Sequence, residues 1–92
     1  MAPTATHLGF DTSKPFQLSE EVSLRDETFG ALAYHHVTRR LVFLKSPTLV
    51  ELVRRLHEFS SVDDAVRVLV PSEEGRYKRA LASLYSSGLL RG

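Results

Sequence analysis

Arg39 to Phe59 reads RRLVFLKSPTLVELVRRLHEF, and the rest of the chain is organised around this stretch. Its first part, RRLVFLK, combines aromatic, β-branched and apolar residues over a short run, which predicts a strand. Ser46-Pro47 then opens a helix over TLVELVRRLHEF. A serine hydroxyl can accept one of the orphan N–H groups of a first turn, and proline at the first helical position has no N–H to leave unpaired. Glu51 stands four residues before Arg55 in the favourable order for a helical ion pair. Leu49, Leu52, Val53 and Leu56 recur on one face, and Phe59 extends it. Everything before this stretch reads as strand, and everything after it as helix.

Working outward towards the N-terminus, FGALAYHH at 29–36 is apolar with few charges and reads as a central strand. A short alanine-containing helix is the rival reading, which Gly30 opposes. Gly30 marks a bulge or a close backbone approach. EEVSLR at 20–25 alternates and predicts a strand with one buried face. Short links between three short strands imply an antiparallel meander, because parallel strands need long crossovers. Residues 1–15 read as a flexible arm, punctuated by Pro3, Gly9 and Pro15. Leu8, Phe10 and Phe16 are its candidate anchors. Residues 16–92 are then a single domain.

In the other direction, Ser61 with Asp64, or Ser60 with Asp63, forms a cap before a short helix over 62–69. Val70-Pro71 ends that helix. Ser72 is the expected cap of a third helix, with Glu73 and Glu74 in its first turn and a Glu74–Lys78 pair. Tyr77, Leu81, Leu84 and Tyr85 form its apolar stripe. Gly88 is placed to end it with a positive φ, so that Leu89 and Leu90 fold back onto the core. The expected fold is α+β and winged helix-turn-helix-like: three N-terminal antiparallel strands, then three helices. On the third strand, Leu41 and Phe43 face one side, and Val42 and Leu44 the other. If that strand lies at the sheet edge, its free ladder groups can accept an added strand.

Composition limits the chemistry. The chain has 92 residues and no cysteine, which excludes disulfides and thiolate metal sites. A domain of this size buries roughly 60–65% of its extended surface, leaving one modest core and no deep cleft. No run approaches the roughly eighteen apolar residues of a membrane helix. The opening MAPTATHLGF has no basic region followed by an apolar core, so a cytoplasmic address is expected, with no membrane partner. His35 and His36 are adjacent on a predicted strand and point to opposite faces, and His7 and His57 are remote, so no metal site is expected. The serines have no histidine–carboxylate companions, and no phosphate loop or HExxH motif is present. No catalytic residue and no cofactor are assigned.

Net charge is +1 but unevenly spread: −3 over residues 1–36 and +4 over 37–92. The more basic helical half suits an acidic peptide or a phosphate backbone. A winged-helix DNA reader is the second reading, carried by Arg76, Lys78 and Arg79 on the third helix. The near-neutral total, the absence of Asn and a lone Gln17 speak against it.

From Pro15 to Val53 the chain reads PFQLSEEVSLRDETFGALAYHHVTRRLVFLKSPTLVELV. FGALAYHH at 29–36 and TRRLVFLKSPTLVELV at 38–53 are its most specific parts. This sequence resembles the small recognition domains that serve ribosomally made, modified peptides: the family of the pyrroloquinoline quinone biosynthesis chaperone, and more closely the mycofactocin biosynthesis chaperones. The resemblance continues more loosely to ALASLYSSGLL at 80–90, and the first dozen residues carry none of it. It implies a winged-helix-like domain that binds the leader of a short precursor peptide. It further implies presentation of that peptide to a radical S-adenosylmethionine maturase, which owns the iron–sulfur clusters and the chemistry. On this reading the leader adds as a strand beside Arg40, Leu41, Val42, Phe43 and Leu44. Its apolar side chains enter a cleft between that strand and the third helix, near Val42, Leu44, Tyr77, Ala80 and Leu84. Arg76 and Arg79 meet acidic leader residues.

Overall fold

The computed structural model describes residues 10–92. His7 and Leu8 lie outside them. Three strands form one antiparallel sheet in the order β2(Val22–Glu27), β3(Gly30–His35), β4(Leu41–Leu44). Helices α1(Pro47–Arg55), α2(Val62–Leu69) and α3(Glu74–Ser86) follow. The expected order of three antiparallel strands and then three helices is thus the observed one. A second, two-stranded ribbon joins β1(Gln17–Leu18) to β5(Leu90–Arg91).

Alternation makes the sheet two-faced. Ala31 and Ala33 on β3 and Leu44 on β4 point inward and are almost fully buried. The small alanine side chains let α1 pack close on the central strand. Val50, Leu52 and Val53 of α1, followed by Leu56, meet them with Val62, Val66, Leu81 and Leu89 in one contiguous core. Gly30 is the close approach: its φ is +149°, and a Cβ there would run into the Leu44 carbonyl oxygen and lie 2.9 Å from the Ser46 nitrogen.

The helix signals are mostly borne out. The Ser46 hydroxyl accepts from the Leu49 N–H at 3.2 Å, Pro47 opens α1, and Arg55 reaches Glu51 at 3.3 Å. The helix does not run on to Phe59 as one α-helix. Leu56–Glu58 tightens into a 3-10 turn, and Arg55 also holds Glu58 at 3.0 Å. The Ser61 hydroxyl accepts from the Asp64 N–H at 3.0 Å and caps α2. Gly88 has φ +85°, and two bonds close the end of α3: Gly88 N–H to the Tyr85 carbonyl and Leu89 N–H to that of Leu84. This Schellman arrangement turns Leu89 and Leu90 into the core.

Two expectations about α3 need correction. Ser72 is not its cap; Glu73 takes that place without a side-chain cap bond. The cause is the preceding turn, in which the Glu73 N–H donates to the Val70 carbonyl at 3.0 Å. Pro71 occupies the position of that turn which proline favours, and this draws Ser72 into the turn. Lys78 does not pair with Glu74. Its Nζ lies 2.8 Å from Asp63 Oδ1 at the start of α2. Hydrogen bonding from Lys78 holds the Asp63 carboxyl below its ordinary range.

Phe10 and Phe16 act as anchors. They pack on each other with ring centroids 4.8 Å apart, and each lies 5.4 Å from Tyr85. Between them, the Thr12 and Lys14 carbonyls accept from the Asp63 and Val62 N–H groups, at 2.9 and 3.1 Å. With Ser61 on Asp64, the first three orphan donors of α2 are all satisfied. The β1–β5 ribbon is clasped by Arg91, whose Nε and Nη2 lie 2.7 and 2.8 Å from the two Glu20 carboxylate oxygens. This fork draws the Glu20 carboxyl down from 4.5 to about 2.

Candidate functional site

β4 is an edge strand, and its register decides which groups are free. β3 and β4 pair Ala31 with Leu44, Leu32 with Phe43, Ala33 with Val42 and Tyr34 with Leu41. Just beyond, the His35 N–H donates to the Arg40 carbonyl at 2.9 Å, so His35 and Arg40 form a hydrogen-bonded pair. In an antiparallel ladder such pairs alternate. Arg40, Val42 and Leu44 therefore turn their backbone groups towards β3. Leu41 and Phe43 turn theirs away, and among the described residues nothing bonds them. The opposite side of β3 agrees, since His36 donates to the Glu21 carbonyl towards β2. The open edge thus offers the N–H and C=O groups of Leu41 and Phe43.

The side chains of β4 follow the expected split. Leu41 and Phe43 are each 53% exposed on the outer face. Leu44 is buried, and Val42 packs against the core from a half-buried position. Arg40 is exposed, and its N–H donates to the Thr38 hydroxyl at 3.3 Å. On α3, Tyr77 and Leu84 are buried in the same core as Leu44, and Ala80 is half-buried. Val42 and Ala80 retain partly open surface, and no depression is lined by β4 and α3 together among the described residues. Arg76 lies over the Tyr77 ring at 5.6 Å and holds Glu73 at 3.0 Å. Arg79 is exposed beside a depression of about 200 Å³ that Phe10, Thr12 and Ala82 also line. Neither Arg79, Arg39, Arg40 nor Lys45 pairs with a carboxylate among the described residues.

The DNA reading loses its footing on α3. Of that helix's three cations, Arg76 is tied to Glu73 and Lys78 to Asp63, which leaves Arg79 alone free for a phosphate. The histidine pair divides as alternation requires. His35 is buried, and its Nδ1 accepts from the Val37 and Thr38 N–H groups, both at 3.2 Å. His36 is exposed and meets the Ser23 hydroxyl at 2.6 Å. One aromatic on the outer face, away from the free backbone groups of β4, escaped the sequence reading. Phe29 stacks on Phe43, with centroids 5.7 Å apart and planes 21° from parallel. An aromatic in a strand-linking turn was the available signal.

The model of the peptide chaperone MftB family matches residues 15–91. The chain is 40% identical over 83 residues to the peptide chaperone MftB of Mycobacterium ulcerans, covering 88% of this chain and 76% of that protein. It is 35% identical over 88 residues to the MftB of Mycolicibacterium smegmatis, covering 94% and 86%. Among solved structures, it is similar to a lasso peptide synthetase B1 complexed with the leader peptide. The TM-score is 0.62 at 24% identity, over 84% of this chain and 98% of that one. At that identity the likeness is one of fold.

Proposed function

The chain belongs to the peptide chaperone MftB family, and from that premise we propose that it captures the leader of a short ribosomal precursor peptide as a fourth strand on β4. The observation that carries the reading is the open edge itself. Leu41 and Phe43 hold two N–H and two C=O groups outward at the rim of a rigid sheet. An extended peptide satisfies them through its own backbone, which gives affinity with little demand on its sequence. Selectivity then comes from side chains. Val42 and Ala80 receive apolar residues of the leader, while Arg79, which has no ion-pair partner among the described residues, meets a carboxylate. The B1 protein of similar fold was solved in complex with its leader, which supports the same use of this fold.

Members of this family are chaperones, and the chain acts by binding rather than by catalysis. The loaded chain presents its peptide to a radical S-adenosylmethionine maturase. With no cysteine in this chain, the thiolates that hold the iron–sulfur clusters belong to that partner. Among the described residues no helix is long and apolar enough to cross a membrane. A ribosomal substrate and a reduced-cluster partner both fit a cytoplasmic setting. Calorimetric titration with the leader half and the C-terminal half of the precursor, taken separately, tests the reading. Saturable one-to-one binding by the leader half alone is expected. Binding by the C-terminal half alone, or by neither, would overturn it.

A further inference from the structure

The three-stranded sheet has one covered face and one bare face. All core contacts of the helices fall on the inner side. Five large apolar side chains are notably exposed among the described residues, and four of them, Phe29, Val37, Leu41 and Phe43, lie on the sheet or its turns. The Phe29–Phe43 stack stands at one end of the outer face. Leu32 and Tyr34 sit half-buried across its middle. Beside them a depression of about 400 Å³ is lined by Ser23, Leu32, Tyr34 and Leu41, among others. Contiguous apolar surface of this kind on a small domain marks a place where another macromolecule sits.

We propose that this outer face is the docking surface for the enzyme that modifies the bound peptide, and that the enzyme meets it with an apolar patch rimmed by carboxylates. The inference rests on the peptide-binding reading above. Two observations select this occupant. The first is charge. Arg39 lies in the turn before β4 and Lys45 just after the strand, both exposed and without an ion-pair partner among the described residues. An acidic rim on the partner complements them. The second is continuity. Leu41 and Phe43 turn their backbone groups to the edge and their side chains to the outer face. A peptide strand added at that edge alternates in the same way, so every second side chain of the peptide extends the outer face. The enzyme thus meets a four-stranded surface that is complete only when peptide is bound. It should therefore bind the loaded chain more tightly than the empty one, and by linkage it should tighten the hold on the peptide.

Phe29→Asp and Leu32→Asp test this, since neither residue lies at the peptide edge or on α3. Each variant is first titrated with the leader, which checks folding and the peptide-binding reading together. Leader affinity within about twofold of the parent is expected. The purified maturase is then titrated into the leader-loaded chains. A tenfold or greater loss of affinity in both variants, with no loss in a Val68→Asp control on α2, is the expected result. In the parent chain, the side-chain NMR signals of Phe29 and Leu32 should shift when maturase joins the loaded complex, a readout that needs no substitution. The proposal is overturned if the variants keep both leader and maturase affinity, or if those signals stay in place. It is also overturned if the face instead mediates a dimer that Phe29→Asp dissolves with maturase binding intact. Failure of the parent chain to bind leader would sink the peptide-binding reading first, and is distinguishable from all of these.

Discussion

Gly30→Ala is expected to destabilise the chain by about 3–5 kcal/mol, at the severe end for a single substitution. Two costs add. The backbone at Gly30 has φ +149°, a region that side-chain-bearing residues rarely adopt. The new methyl would also meet the Leu44 carbonyl and the Ser46 nitrogen, which are backbone atoms at the junction of β4 and α1. Neither can swing aside like a flexible side chain. Moving them would disturb the β3–β4 ladder and the Ser46 cap of α1 together. Against a total stability of about 5–15 kcal/mol for a domain, this loss brings the chain near unfolding. Denaturant unfolding followed by circular dichroism reads it. A thermal midpoint lower by roughly 12–25 °C is expected for a chain of this size. A loss under about 1 kcal/mol would mean that the strand–helix junction yields, and that the close approach is not a constraint.

Phe43→Pro is expected to weaken leader binding by about tenfold to a hundredfold while leaving the fold intact. The Phe43 N–H points away from β3, so a proline there removes no internal ladder bond. Proline is tolerated on edge strands when its missing N–H would face solvent, and the residue before it prefers the extended conformation that Val42 already has. What is lost is one outward donor, together with the space its ring takes beside an incoming strand. Phe43→Ala controls for the lost phenyl ring, because it breaks the Phe29 stack and keeps the donor. Arg40→Pro is the natural choice from sequence alone, but the register makes it the wrong probe. The Arg40 N–H is engaged by the Thr38 hydroxyl, and the residue faces β3. Calorimetry with circular dichroism as control distinguishes the variants. Equal affinity for Phe43→Pro, Phe43→Ala and the parent would remove strand addition at this edge.

The Arg39–Phe59 stretch was legible because each of its signals is local. A β-rich run, a serine cap, a proline at the first helical position and an i,i+4 pair need no knowledge of the rest of the fold. Gly88 was legible for the same reason. The β1–β5 ribbon was not, since strands of two residues have no periodicity to read and join opposite ends of the chain. The same holds for Thr12 and Lys14, whose carbonyls cap α2 from some fifty residues away in sequence. Lys78 chose Asp63 over Glu74 because α2 and α3 pack side by side, a tertiary fact that outweighs helical spacing. At the candidate site, alternation along β4 correctly assigned Leu41 and Phe43 to one face and Val42 and Leu44 to the other. Which backbone groups remain free depends on the pairing with β3, and no single-strand pattern contains that.

The central claim, that peptide adds to the β4 edge, is tested most directly by amide hydrogen exchange at single-residue resolution with and without saturating leader. Val42 and Leu44 face β3 and should already exchange slowly in the free chain. Leu41 and Phe43 should exchange quickly when free and slow by about tenfold or more when loaded, because a strand then closes over them. Leader that saturates the chain while leaving the Leu41 and Phe43 amides as fast as before would place the peptide elsewhere and contradict the account.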